Sequence, residues 1–523
     1  MIITEILARN ARMYGDETAL IEREPAVGGR RAITWKEFDE TANRVAGALM
    51  AGGVRKGDKV GLLMTNCLEW LPIYFGILRT GAWAVPLNFR FTAEDIRYCM
   101  EVAEGRAFIF GQEFIERIDE IREDLAFVKD YLYVGPPEKR PKYAVSYEEF
   151  LEKGSPLDPG VQVSLLDEAA LYFTSGTTGQ PKPILLTHRN LEAAAVTENL
   201  HHKQTHTDNF LCIPPLYHTG AKMHWFGNLI VGAKAVIIKG VKPEWVLKVI
   251  SEEQVTVVLL MVPWAQDILV ALERGEIRLE DYKLDQWRLM HCGAQPIPPA
   301  LIQNWKSYFP DQDYDTNYGL SESTGPGPVH LGIENTHKVG AIGLPGFDWE
   351  CRIVDEHMND VRPGEVGELL VRGPGVMKEY YKNPEATEKA LVDGWLLTGD
   401  MARYDEEGFI WLVDRKKDVV ITGGENIFPV EIEDFLRLNA KVLDAAVIGI
   451  PDERLGEIAA AVIKVKPGKE MTEEEVREYC EALPRYKRPR VIIFGDVPRN
   501  PTGKIEKPKL RRKYREISAG VKK

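Results

Sequence analysis

Nine consecutive residues, Thr174-Ser175-Gly176-Thr177-Thr178-Gly179-Gln180-Pro181-Lys182, combine hydroxyls, glycines and a terminal lysine. Glycines let backbone wrap closely round a phosphate, while N–H groups, hydroxyls and an ammonium offset its charge. The order is not that of a Walker A loop, which ends Gly-Lys-Ser/Thr; here Pro181 precedes Lys182. A Ser/Thr/Gly linker would share the composition, but an apolar, strand-like run at 169–173 leads straight into the loop. The segment therefore reads as a phosphate-binding turn delivered by a strand.

Other chemistry-bearing groups follow in order. Pro214-Pro215-Leu216-Tyr217-His218-Thr219-Gly220 places a histidine beside small residues, and His291-Cys292-Gly293-Ala294-Gln295-Pro296 runs a strand into a glycine turn. In Asn317-Tyr318-Gly319-Leu320-Ser321-Glu322, the Glu322 carboxylate is a hard oxygen ligand suited to Mg2+. Gly394-Trp395-Leu396-Leu397-Thr398-Gly399-Asp400 ends on a carboxylate able to accept a pair of hydroxyls. The charged run Asp414-Arg415-Lys416-Lys417-Asp418 precedes Gly423-Gly424, where adjacent glycines admit a narrow ligand arm. Pro498-Arg499-Asn500-Pro501-Thr502-Gly503-Lys504-Ile505 lies near the C-terminus. No Ser/His/Asp or Cys/His set suggests a protein nucleophile. His201, His202 and His224 read as surface or packing residues, and no motif supports a role for Asp313 or Asp315.

Taken in order, these segments resemble the adenylate-forming, AMP-binding enzymes: acyl- and aryl-CoA synthetases, luciferases and peptide-synthetase adenylation domains. The resemblance covers nearly the whole chain and implies ATP, Mg2+ and CoA as cofactor and co-substrates. It puts the phosphates against Thr174, Ser175, Gly176, Thr177, Thr178, Gly179 and Lys182, and Mg2+ on Glu322 and Thr174. Adenine is expected against Gly293, Ala294, Gln295, Asn317, Tyr318 and Gly319, the α-phosphate on Ser321, and the ribose on Asp400 and Arg415. The acyl group is assigned to His218, Thr219, Gly220, Met261, Val262, Cys292, Thr324 and Gly325. Gly423, Gly424 and Glu425 are expected to line the pantetheine tunnel, Lys417 to act as a hinge, and Lys504 with Glu322 to be catalytic. One residue departs from the family pattern: Pro183 stands where glycine is usual, fixing φ and removing a backbone donor.

The elements that must position these groups alternate. Thr34 and Glu37 form a capping box ahead of apolar residues Phe38, Ala42, Val45, Ala46 and Leu49 at helical spacing. Strands are expected at 59–64, 83–87, 233–238, 255–260 and 287–292, with helices at 68–80, 243–253 and 265–272. Such alternation implies an α/β fold of parallel sheets covered by helices. A composition shift near Asp414 suggests a large N-terminal part, 1–414, and a small mobile α+β C-terminal domain, 415–523. Residues 135–160, rich in Pro, Gly and charge, read as a surface excursion.

Composition narrows the class. Apolar content of 44% and charged content of 28% are ordinary for a globular protein. A net charge of −13 argues against nucleic-acid binding. From 484 to 523 there are fourteen Lys and Arg against three Asp and Glu, a basic surface that could meet CoA phosphates or an anionic membrane. The six cysteines form no CxxC pair, and no apolar run reaches membrane-spanning length. The expectation is a cytoplasmic monomer or homodimer acting on a small carboxylic acid, with peripheral membrane contact possible. The candidate pocket holds no Arg or Lys, which favours an apolar monocarboxylate, fatty before aryl. Little sequence follows Lys504, favouring a free-standing CoA ligase over a module that loads a carrier protein. A luciferase-type oxygenase or a nucleotide-binding scaffold would be separated by oxygen consumption and pyrophosphate release.

Overall fold

Thr34 ends one strand and opens a helix. Its hydroxyl accepts from Glu37 N–H at 3.2 Å, and the Glu37 carboxylate accepts from Thr34 N–H at 2.8 Å. Such a cap contributes about 0.5–2 kcal/mol. The helix, Trp35–Ala51, buries Phe38, Ala42, Val45, Ala46 and Leu49, as the spacing predicts. It packs against helix Trp70–Arg79 so closely that a Cβ at Gly76 would stand 2.5 Å from Val45.

The computed structural model describes residues 1–174, 180–293, 297–423, 425–452, 454–499 and 505–514. The chain forms two compact units, Met1–Cys351 with Val371–Leu396, and Arg352–Leu370 with Leu397–Lys523.

The first unit contains two large sheets. One has eight strands, in the order Glu379–Tyr380, Lys182–Thr187, Glu168–Thr174, Trp83–Pro86, Lys59–Leu63, Ala107–Gly111, Asp130–Val134 and Val145–Ser146. Its pairings are parallel except around Lys182–Thr187, which is antiparallel to both neighbours. The other has seven strands, in the order Asp313–Asp315, Leu289–Gly293, Val257–Met261, Asn209–Cys212, Lys234–Ile238, Thr18–Glu24 and Gly29–Thr34. It is parallel except for the Thr18–Glu24/Gly29–Thr34 hairpin. Helix Pro243–Glu253 matches its expected bounds, and the neighbouring elements shift by a few residues.

Residues 135–160 are more than an excursion. They supply edge strand Val145–Ser146 and helix Tyr147–Leu151. Gly154 then lies so close to the Trp35–Ala51 helix that a Cβ would stand 1.9 Å from the Arg44 carbonyl.

In the second unit, strands Val442–Asp452 and Gly456–Val465 form a long antiparallel pair, with Val491–Phe494 parallel to the latter. Helix Pro429–Arg437 covers one face with Ile432 and Leu436. Helix Lys507–Tyr514 places Leu510 and Tyr514 in a second apolar cluster with Ile448 and Val462.

Candidate active site

Thr174 and Lys182 lie opposite each other in the antiparallel pair Glu168–Thr174/Lys182–Thr187. The two residues thus bracket the phosphate loop, whose Ser175, Gly176, Thr177, Thr178 and Gly179 lie outside the described residues. The short outer strand Glu379–Tyr380 pairs with Lys182–Thr187, Tyr380 opposite Ile184. Lys182 Nζ consequently lies 5.1 Å from the Tyr380 ring centroid. The Tyr380 hydroxyl donates to Glu322 Oε1 at 2.7 Å. Burial first, and then the Glu322 carboxylate, raise the Tyr380 pKa, so the phenol stays a donor. Glu322 sits in the short turn Ser321–Ser323, whose position is fixed by Met377 N–H donating to the Glu322 carbonyl at 2.7 Å. A cation, an aromatic face and a carboxylate are thereby assembled around the loop's base.

Pro183 also has a clear place. Its carbonyl accepts from Tyr381 N–H at 2.9 Å, so this residue's backbone polar side faces the outer strand. In an antiparallel strand the N–H and C=O of one residue point the same way. The missing donor is therefore directed toward residues 379–381, and the inner ladder to Glu168–Thr174 is kept.

Strands Asn317–Leu320 and Gly325–His330 form the next hairpin. Gly319 is required by close approach, since a Cβ there would stand 1.8 Å from the Gly325 carbonyl oxygen. Gly325, at φ +96°, lies against Thr219 and Gly220 at the start of helix Thr219–Ile230. Thr324 is buried and donates to the Gly375 carbonyl at 2.6 Å. His218 is exposed at the N-cap of the same helix. Met261 and Cys292 end neighbouring parallel strands, with Leu260 opposite Cys292 and Met261 opposite Gly293, and Val262 opens the next helix. Carboxyl ends of parallel strands are where ligands sit in open α/β sheets. Ala294 and Gln295 lie outside the described residues.

Asn317 faces inward. Its Nδ2 donates to Glu198 Oε1 at 2.9 Å and lies 3.1 Å from His224 Nε2. Behind it is a buried polar cluster of Glu198, His202, His224, His291, Asp315 and His330. His202, His224 and Asp315 therefore belong to neither the surface nor the apolar core. Burial disfavours the charged forms, but the imidazoles hold Asp315 well below the ordinary carboxylate range. Burial likewise opposes protonation of His330, yet Glu198 and Asp315 prevail and raise it to about 9. Beyond the i,i+4 pair Glu198 and His202 on one helix, sequence spacing carries no signal for this cluster, because its other members come from separate elements.

Lys222 is a second unexpected buried group. Its Nζ donates to the Leu216 carbonyl at 2.9 Å and lies among the rings of Tyr172, Tyr74 and Trp70 at 4.6, 5.0 and 5.1 Å. Burial lowers its pKa well below the ordinary lysine value. Trp225 and Phe226 pack in the core around Phe75.

In the second unit, Asp400 and Arg415 are directly opposite on strands Trp395–Tyr404 and Ile410–Arg415. Arg415 Nε lies 2.8 Å from Asp400 Oδ1, and Asp400 N–H donates to Thr398 Oγ1 at 3.1 Å. Lys417 falls in the turn Lys416–Asp418; burial, then Arg415, lowers its pKa. Thr422 pairs with Glu425 in an antiparallel hairpin, and Gly423 adopts φ +59°. Glu425 is exposed, and Gly424 and Lys504 lie outside the described residues. Much of the basic C-terminal charge is used internally: Lys487 pairs with Glu431, Arg499 with Asp444, Lys507 with Glu433 and Arg511 with Asp418.

The profile of the AMP-binding enzyme family matches residues 7–381, and that of the AMP-binding enzyme C-terminal domain matches residues 431–504. The chain belongs to the AMP-binding enzyme family. Among similar family members is the Mycobacterium tuberculosis long-chain-fatty-acid–CoA ligase FadD13, 32% identical over 495 residues, covering 94% of each chain. The crystal structure of the anthranilate CoA ligase AuaEII in complex with anthranoyl-AMP superposes with a TM-score of 0.87 at 27% identity, covering 100% of this chain and 98% of that one. The Bacillus subtilis o-succinylbenzoate CoA synthetase in complex with ATP and magnesium gives 0.83 at 26% identity, covering 97% and 99%. Among the described residues no helix is long and apolar enough to cross a membrane.

Proposed function

We propose that this AMP-binding enzyme is an ATP-dependent acid–CoA ligase that activates an apolar monocarboxylic acid, a fatty acid first. The observation carrying the adenylation reading is the chain of contacts from Lys182 over the Tyr380 ring to Glu322. It sets an ammonium and a fixed carboxylate beside a loop rich in hydroxyls and glycines, the charge pattern that a nucleotide triphosphate and its cation require.

Glu322 and Thr174 offer the hard oxygen donors that suit Mg2+ and would hold it with the ATP phosphates. Bound there, Mg2+ supplies charge neutralisation. In the first half-reaction a carboxylate oxygen of the acid attacks the α-phosphorus and pyrophosphate leaves. Lys182 and the 174–179 loop hold the phosphates, and Ser321 hydrogen-bonds the α-phosphate. Tyr318, with Gly293, Ala294, Gln295, Asn317 and Gly319, forms the adenine site. Asp400 accepts the ribose hydroxyls, oriented by Arg415. Lys504 pairs with the acid's carboxylate and the α-phosphate. In the second half-reaction the CoA thiol attacks the acyl carbonyl and AMP leaves; Gly423, Gly424 and Glu425 line the pantetheine path, and Lys417 is the hinge between steps. Catalysis rests on positioning and electrostatics, with no covalent enzyme intermediate.

The small or apolar residues Thr219, Gly220, Met261, Val262, Cys292, Thr324 and Gly325 support an apolar acid, with His218 at the mouth. An aryl acid is the second reading. His224 Nδ1 lies 2.6 Å from the Gly220 carbonyl, and Asn317 and Glu198 follow directly behind. That polar wall one helical turn from Gly220 suits a short, rigid acid better than a long chain.

A panel of fatty and aryl acids in a pyrophosphate-release assay tests the substrate. Lys504→Ala should abolish adenylation while sparing thioester formation from supplied acyl-adenylate; equal loss of both steps would remove Lys504 from its role. Lys417→Pro should stall one half-reaction more than the other.

A further inference from the structure

Four of the chain's ten histidines converge with two carboxylates in the first unit, behind Asn317. Glu198, His202, His291 and Asp315 are 0% exposed and His330 is 2% exposed. We propose that His202, His291, Asp315 and His330 form a binding site for one divalent first-row transition ion, zinc by preference.

The donor atoms have the right spacing. His202 Nε2 lies 3.0 Å from His291 Nδ1 and 3.0 Å from Asp315 Oδ2. Asp315 Oδ2 lies 3.4 Å from His330 Nδ1 and 3.9 Å from His291 Nδ1. The His202, Asp315 and His330 donors all fall within 4.8 Å of one another. Around a tetrahedral zinc with bonds of about 2.0–2.1 Å, neighbouring donors stand about 3.3 Å apart.

Hydrogen bonding alone does not satisfy the arrangement. If His202 Nε2 carries a proton, that proton can point at His291 or at Asp315, not squarely at both. If it carries a lone pair, that lone pair faces the ionised Asp315. A cation at the centre, taking the place of the proton on His330, is a partner that the His202, Asp315 and His330 donors can share.

The surrounding groups fit the same assignment. A metal-bound imidazole commonly donates its other ring N–H to a carboxylate. The second nitrogen of His330, Nε2, lies 3.2 Å from Glu198 Oε1, and that of His202, Nδ1, lies 3.5 Å from Glu198 Oε2, charge contacts rather than aligned hydrogen bonds. Asp315 Oδ1 accepts from Gly332 N–H at 2.9 Å, which orients its other oxygen toward the histidines. Three neutral imidazoles and one carboxylate leave an ion-bound site with a single positive charge, which the Glu198 carboxylate offsets. His202, Asp315 and His330 supply three donors and His291 Nδ1, beside two of them, would complete the set, so the ion would be structural. It would tie helix His188–His202 to strands Leu289–Gly293, Asp313–Asp315 and Gly325–His330, and through Glu198 to Asn317.

The test uses the full-length protein, produced in zinc-supplemented medium and freed of loose metal by gel filtration with a weak chelator. Elemental analysis should return about one zinc per chain. Exchange for cobalt should give the visible bands of a tetrahedral cobalt complex. His330→Ala and Asp315→Asn should each lose the zinc and the cobalt bands. Wild-type protein that holds no zinc and gains no thermal stability from added zinc overturns the site. So does zinc retained undiminished in both variants, because the ion would then be bound elsewhere. Should the variants fail to fold, the wild-type zinc content and cobalt spectrum decide the matter.

Discussion

Tyr380 donates its hydroxyl to Glu322 Oε1 at 2.7 Å, across 58 residues of sequence. A hydrogen bond to a charged group is worth roughly 1.5–3 kcal/mol. Tyr380→Phe should therefore lower adenylation by about tenfold or more and raise the Mg2+ concentration needed for half-maximal rate. Initial rates of pyrophosphate release across a Mg2+ titration check this. An unchanged Mg2+ dependence would reduce the contact to packing.

Asp400 and Arg415 face each other across two strands with Nε and Oδ1 at 2.8 Å. If Asp400 accepts the ribose hydroxyls, Asp400→Ala should raise the KM for ATP and abolish discrimination between ATP and 2′-deoxy-ATP. Arg415→Ala should weaken both nucleotides, and the double variant should fall short of the summed effects by about 0.5–3 kcal/mol of coupling. Persistent discrimination in Asp400→Ala would assign the ribose elsewhere.

Lys507 is buried with its Nζ 2.9 Å from Glu433 Oε1 and 4.0 Å from Asp414 Oδ1. Burial pushes the Asp414 carboxyl up to about 6, while Lys507 pulls it back. Removing the ammonium leaves two carboxylates in the interior, so Lys507→Met should cost about 3–5 kcal/mol. Hydrogen exchange along Val442–Asp452 and Gly456–Val465 should report this as accelerated exchange in the second unit. Adding Glu433→Gln should restore part of the loss; full additivity would deny the pairing.

His188 is fully buried, and neither ring nitrogen makes a hydrogen bond. Burial, opposed by the nearby Asp167, lowers its pKa from 6.5 to about 4. The unfolded chain thus binds the proton first. Stability attributable to this residue is intact above pH 6.5 and falls as pH drops toward 4, by roughly 3 kcal/mol in total. Thermal midpoints measured between those limits should fall less steeply for His188→Leu than for the wild type. Parallel pH profiles would contradict the buried neutral state.

How much of this could be read directly depended on range along the chain. The Thr34 capping box, the Pro243–Glu253 helix and the strand before the loop are local patterns, and each forms where its residues indicate. Asp400 and Arg415 were visible through motif resemblance, but their pairing required the register of an antiparallel ladder. Tyr380 was missed because a tyrosine pair in a charged stretch has no periodicity; its role comes from edge pairing with residues nearly 200 positions earlier. The Glu198, His202, His291, Asp315 and His330 cluster was missed for the same reason. Each histidine alone looks like packing, and the chemistry exists once four separate segments meet.

Pro183 has a consequence for biosynthesis. Strand Lys182–Thr187 is made long before its outer neighbour, Glu379–Tyr380. At about 5–20 residues per second, the ribosome leaves that flank uncovered for roughly 10–40 seconds. An uncovered flank is a template for mispairing with other nascent chains. The proline removes an N–H on that side alone. Pro183 thus leaves that flank one donor poorer until its partner strand leaves the ribosome.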